Sequence, residues 1–120
     1  MLMSMKLTDD EVAELQSRYS YLTNYQDGDL DAPIDPLTYV DSNGDGLLHI
    51  AAQLGDVRTV ELLLRSGIDV NQLGDMGCTA LHYAGMSHKE DVIRILLVNG
   101  AATNIVNDFG KLPEAGRPQA

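Results

Sequence analysis

Apolar side chains recur with helical spacing in two stretches of this chain, "VRTVELLLRSG" and "EDVIRILLVNG", where leucine, isoleucine and valine fall at i, i+3 and i+4. Each stretch ends in a glycine, the residue that lets a helix C-terminus enter the left-handed region. Each follows a shorter apolar segment, "LLHIAAQLG" or "ALHYAGMSH", whose alanines permit close approach of a second helix. Before that comes turn chemistry, "NGDG" or "DMGCT". The order turn, helix, helix, return loop therefore occurs twice.

An offset of 33 residues aligns 41–73 with 74–106 without a gap. It matches Gly44/Gly77, Leu48/Leu81, His49/His82, Ala51/Ala84, Leu63/Leu96, Leu64/Leu97, Gly67/Gly100 and Asn71/Asn104. A further step brings "NDFGKLPEAG" onto the opening of a third copy, with Gly110 beneath Gly44 and Gly77, and that copy is cut short. A lone helical hairpin cannot bury its apolar face, so neighbouring copies must stack. The leucine runs 62–64 and 95–97 are expected in the core, and the fold class is all-α, a short solenoid.

Residues 1–40 follow another pattern. Thr8 and Glu11 form a capping box, with Leu7 and Val12 as a hydrophobic staple, and Val12, Leu15, Tyr19 and Leu22 share a face; a helix is predicted over about 9–22. "TNYQDGDLDAPIDPLTYV" holds two prolines and four aspartates and reads as a loop that caps the N-terminal end of the stack. Tyr19, Tyr21, Tyr25 and Tyr39 offer an aromatic binding patch, but the expected arrangement is Tyr19 pointing inward with the other three covering the cap. The organisation is a single domain over 1–120: N-terminal helix and acidic capping loop 1–40, first repeat 41–73, second repeat 74–106, partial repeat and tail 107–120.

Composition narrows the function. Eighteen acids against eight bases give a net charge of −10. A nucleic-acid binder needs a basic face to displace phosphate counterions, so no nucleic-acid partner is expected, and a basic protein partner is. Residues 1–41 carry nine acids against Lys6 and Arg18, whereas 105–120 balance, so most of the net charge lies outside the repeats. No apolar run is long enough for a membrane span. The opening "MLMSMKL" lacks the pattern of an export signal, and the only cysteine, Cys78, has no internal partner; a cytoplasmic chain, monomeric when free, is expected.

The residues "DSNGDGLLHIAAQLGDVRTVELLLRSGIDVN" and "DMGCTALHYAGMSHKEDVIRILLVNGAATN" resemble the ankyrin-repeat family, whose unit runs approximately D-x-x-G-x-T-P-L-H-x-A-A-x-x-G-H, then a leucine-rich helix and G-A-D-V-N. The resemblance covers 41–106 fully and 107 to about 116 in part. Gly46-Leu47 replaces the Thr-Pro pair in the first copy, Thr79-Ala80 keeps half of it, and His88 stands where the inter-helix glycine belongs, which predicts a looser or reshaped turn there.

Candidate chemistry is sparse. Asp41, Asn43, Asp45 and Gly46 begin like a calcium loop, but Ala52 stands where the bidentate Glu is required. His49 and His82 share one register, and the resemblance implies that they brace helix starts by bonding to backbone. His82 and His88 are not spaced as zinc ligands on one helical face, and Cys78 lacks a base and orienter. No catalytic constellation assembles, so no enzyme activity, cofactor or metal is expected.

The resemblance implies protein binding through hairpin tips and the first helix of each repeat. Carried over by position, the contact residues are Ser42, Asn43, Asp45, Gln53 and Leu54, then Asp75, Met76, Cys78, Met86 and Ser87, then Asp108, Phe109 and Lys111. The expected function is a non-catalytic module that binds and masks a basic protein. Small acidic ankyrin chains of this kind resemble the immunity proteins that neutralise bacterial toxins. The alternative is a scaffold or a regulatory inhibitor of a cellular protein such as a kinase.

Overall fold

The computed structural model describes residues 7–24 and 30–113 and places five α-helices among them: α1 Asp9–Arg18, α2 Leu47–Leu54, α3 Val57–Arg65, α4 Ala80–Met86 and α5 Glu90–Val98. Among the described residues, extended pairing is limited to an isolated bridge between Val40 and Gly46. The chain is thus an all-α stack of helical hairpins, with α2 against α4 and α3 against α5. Repeat-equivalent side chains meet in its interior: Leu48 and Leu81, Ala51 and Ala84, Val60 and Ile93, and Leu63 and Leu96 are all buried. Leu62 is buried too, but Leu64, Ile95 and Leu97 are half-buried, because the outermost leucines of each second helix reach the rim.

Backbone geometry repeats with the sequence. Gly44, Gly77 and Gly110 all lie at positive φ, as do Gly67 and Gly100. His88, at φ 56°, takes up the left-handed conformation that Gly55 holds at φ 77°, so this turn keeps its shape instead of loosening. Holding a residue with a Cβ there costs about 1 kcal/mol, which the packed helices on either side sustain.

The capping box forms as predicted: the Glu11 N–H donates to Thr8 Oγ1 at 3.1 Å and the Thr8 N–H to Glu11 Oε1 at 2.9 Å. The helix ends earlier than 22. Tyr19 is its C-cap, and the chain continues through turns closed by Ser20 N–H to Ser17 O and Leu22 N–H to Tyr19 O. Ser17, Ser20, Thr23 and Asn24 are weak helix formers, and Tyr19 is committed elsewhere, donating its hydroxyl to Asp56 Oδ2 at 2.7 Å.

The N-terminal segment covers α3 with both apolar and ionic contacts. Leu7, Leu15, Tyr19, Ile34 and Tyr39 extend the core beyond the repeats. Glu11 pairs with Arg65, Glu14 with Arg58 and Arg18 with Asp56, so α1 runs antiparallel to α3. The following loop is tied down by Gln16 Nε2 donating to Ile34 O and Asn24 Nδ2 donating to Pro33 O, both at 2.9 Å. Tyr19 and Tyr39 are buried, Tyr21 is exposed, and Tyr25 lies outside the described residues. No helix of the described residues is long and apolar enough to cross a membrane.

Candidate protein-binding surface

Three loops with one construction project from the stack. Each is closed by the same backbone hydrogen bond: Asp41 N–H to Asp45 O at 2.8 Å, Gly74 N–H to Cys78 O at 2.8 Å and Asn107 N–H to Lys111 O at 3.0 Å. In the outer two, the side chain at the first position caps its own turn. Asp41 Oδ1 accepts from the N–H groups of Asn43 and Asp45, and Asn107 Oδ1 from those of Phe109 and Lys111. Such local bonding is what Asp and Asn do best in turns.

The middle loop has Gly74 at that position and is held from its neighbours. Asp45 Oδ1 accepts from the Asp75 N–H at 2.8 Å, and the Met76 carbonyl accepts from the Asp108 N–H at 2.9 Å. Gly74 has no room for a side chain: a Cβ there would meet Asp45 Oδ1 at 2.3 Å and the His49 ring at 3.0 Å. The middle tip turns through Met76, at φ 57°, and Gly77. The loops are therefore one preorganised ledge.

Beneath the ledge the two histidines brace the first helices. His49 Nδ1 accepts from the Gly46 N–H at 2.9 Å and its Nε2–H donates to Gln72 O at 2.9 Å. His82 Nδ1 accepts from the Thr79 N–H at 2.9 Å, and its Nε2–H donates to Lys111 O at 3.1 Å. These partners select the neutral tautomer protonated on Nε2. Both rings are buried, and each ties its own helix start to the following loop.

The structure divides the sequence-derived contact positions. Ser42, Asn43, Gln53, Leu54, Met76, Met86, Asp108, Phe109 and Lys111 are exposed, and Asp75 and Ser87 are half-buried. Cys78, at the register of Asp45 and Lys111, is not part of the surface: it is 5% exposed, beneath the third loop, where Asn107 Nδ2 donates to its sulfur at 3.5 Å. Burial pushes its thiol above the usual range, with the surrounding aspartates acting in the same direction and Asn107 against it.

Asp45 is half-buried and engaged, its two oxygens accepting the Tyr83 hydroxyl at 2.7 and 2.9 Å in addition to the Asp75 N–H. Burial, then the bond to this carboxylate, pushes the Tyr83 phenol upward. Asp45 thus holds two repeats together rather than offering its oxygens outward.

Three apolar residues of the loops escaped the sequence reading: Leu73, Val106 and Leu112 are each more than half exposed. The signal for the first two lay in the 33-residue register, which places Val40, Leu73 and Val106 at one loop position. Charge is distributed unevenly as well. Among the described residues all four arginines are paired with carboxylates: Arg18, Arg58 and Arg65 on the α1–α3 side and Arg94 with Asp91 on α5. The loops keep Asp75 and Asp108 outside any such pair.

Stacked helical hairpins of fixed period, joined by projecting loops, define a repeat protein that presents a binding ledge. The profile described as ankyrin repeats (3 copies) matches residues 19–107, and this chain belongs to the ankyrin-repeat family, whose repeats are protein-interaction modules. The match begins before the two gapless copies and takes in the loop that precedes them. The chain is 39% identical over 59% of its length to calmodulin-binding transcription activator 6 of Arabidopsis thaliana, covering 8% of that protein. It is 35% identical over 64% of its length to human protein phosphatase 1 regulatory subunit 27, covering 50% of it, and 35% identical over 65% to human mitochondrial disaggregase, covering 11%. The chain therefore spans half or less of the length of these relatives.

Proposed function

We propose that this chain is a non-catalytic binder whose loop ledge engages and masks a basic protein. The observation that carries this reading is the pairing of exposed apolar anchors with acids on one preorganised row of loops. Met76 and Phe109 are 51% and 66% exposed at equivalent tip positions, beside Asp75 and Asp108. Apolar anchors supply affinity, and the acids steer and orient a cationic partner. Ser42, Asn43, Gln53, Leu54, Met86, Ser87 and Lys111 complete the contact surface as its rim. A net charge of −10 supports attraction of a basic partner over nucleic acid.

Within this reading the partner is either an enzyme held by a regulatory subunit or a toxin covered by its immunity protein. Similarity to a phosphatase regulatory subunit favours the first. The reading also has the chain acting in the cytoplasm, monomeric until it meets its partner, as one domain built in the four segments described above.

Affinity purification from the source cell tests the proposal, with the wild-type chain and an Asp75→Lys/Asp108→Lys double variant side by side. A basic protein retained by the wild type, lost at about 0.5 M salt and lost with the variant is the expected result. A partner that is acidic, or indifferent to both salt and charge reversal, contradicts it.

A further inference from the structure

Val40, Leu73 and Val106 occupy one position of three successive loops, each immediately before the residue whose N–H closes its hairpin. Burial does not account for the apolar choice at Leu73 and Val106, which are 56% and 55% exposed; Val40 is half-buried. Single exposed apolar residues are ordinary. A recurrence at a fixed register is not, and it runs alongside a second row, Asp75 and Asp108, that advances by the same step.

The step has a length. Packed helices lie about 8–10 Å apart, so each row advances by roughly that distance from one repeat to the next. Three residues of polyproline II chain advance about 9 Å and bring the side chain back to the same edge. A β-strand covers about 10 Å in three residues but turns the third side chain to the opposite face. Of these two extended forms, only the first lets successive anchors of one segment meet successive loops.

We infer that the partner meets this ledge with an extended segment of polyproline type, in which an apolar side chain recurs at every third residue and Lys or Arg lies between. The apolar side chains seat on Val40, Leu73 and Val106, and the cations face Asp75 and Asp108. This inference rests on the acidic-binder reading above and deepens it by naming the form of the partner.

The probe is a fluorescein-labelled peptide of three Leu-Pro-Lys triplets, titrated with the full chain at about 50 mM salt. Its control is a peptide of the same composition with the leucines made adjacent. The triplet peptide is expected to bind at least about tenfold more tightly, the scale of a lost anchor. A Leu73→Ser/Val106→Ser variant, changed only at exposed positions, is expected to lose that preference while keeping its helical circular dichroism. Equal affinity for the two peptides, or a preference that survives in the variant, overturns the inference. If neither peptide binds while the basic protein retained in the purification still depends on Asp75 and Asp108, the inference fails and the binder reading stands. If that dependence is also absent, both fail.

Discussion

At the scale of single residues, the helix starts show how one position sets local stability. Thr79 caps α4 with its hydroxyl, accepting from the His82 N–H at 3.3 Å, whereas Gly46 at the equivalent position of α2 has no side chain to do so. Space is not the obstacle: a Cβ at Gly46 would find its nearest neighbours at 3.5 Å, and the backbone there is extended, at φ −82°. Gly46→Thr is therefore expected to raise stability by about 0.5–1 kcal/mol, from the added cap and the reduced freedom of the unfolded chain. Thermal denaturation of the two proteins checks this, and an unchanged or lower midpoint contradicts it. The same site explains the histidines. Removing the His82 ring orphans the Thr79 N–H and leaves the Lys111 carbonyl with only the Asn107 N–H, so His82→Ala is expected to cost about 1–3 kcal/mol in chemical denaturation.

At the scale of elements, the N-terminal helix behaves as a lid clamped by carboxylates. The hydrogen bond from Arg65 is the largest influence on Glu11 and, with the Thr8 N–H, holds its carboxyl at about 2 instead of 4.5. Arg58 lowers Glu14 in the same way. For Asp56, burial acts upward but is outweighed by the hydrogen bonds of Thr59 and Tyr19 and by the charge of Arg18, so its carboxyl too lies below the usual range. A depressed carboxylate stabilises the fold above its unfolded pKa, and that contribution is lost as pH falls through the folded value. The lid is therefore expected to loosen as pH drops from about 4.5 toward 2, with hydrogen exchange in α1 accelerating before that in α2 to α5. Replacing Arg65 by Gln is expected to flatten the dependence, and uniform acceleration across all five helices contradicts the lid account.

Across the whole molecule, what could be read in the sequence was whatever depends on near neighbours or on the repeat. The Thr8–Glu11 box, the two helical hairpins and the inward Tyr19 follow from spacing within a turn or from the 33-residue register, and the histidine braces from the resemblance to the ankyrin family. The apolar face that predicts a helix to Leu22 runs past the true end of α1, because backbone-competing residues and the Tyr19–Asp56 bond stop the helix at Arg18. Cys78 shares a contact register yet is buried, and Asp45, half-buried, is engaged within the stack. Their actual positions depend on Asn107 and Tyr83, 29 and 38 residues away, which no local pattern encodes. The apolar row at 40, 73 and 106 was visible in the alignment of copies but has meaning only once exposure is known.

The central claim is that the loop ledge, and not the outer helices, holds the partner. Hydrogen exchange of the chain alone and saturated with the captured basic protein tests it most directly. The account predicts slowed exchange at residues 42–45, 74–78 and 107–111, with little change in α3 and α5. Protection centred on α3 and α5, with the loops unaffected, contradicts it.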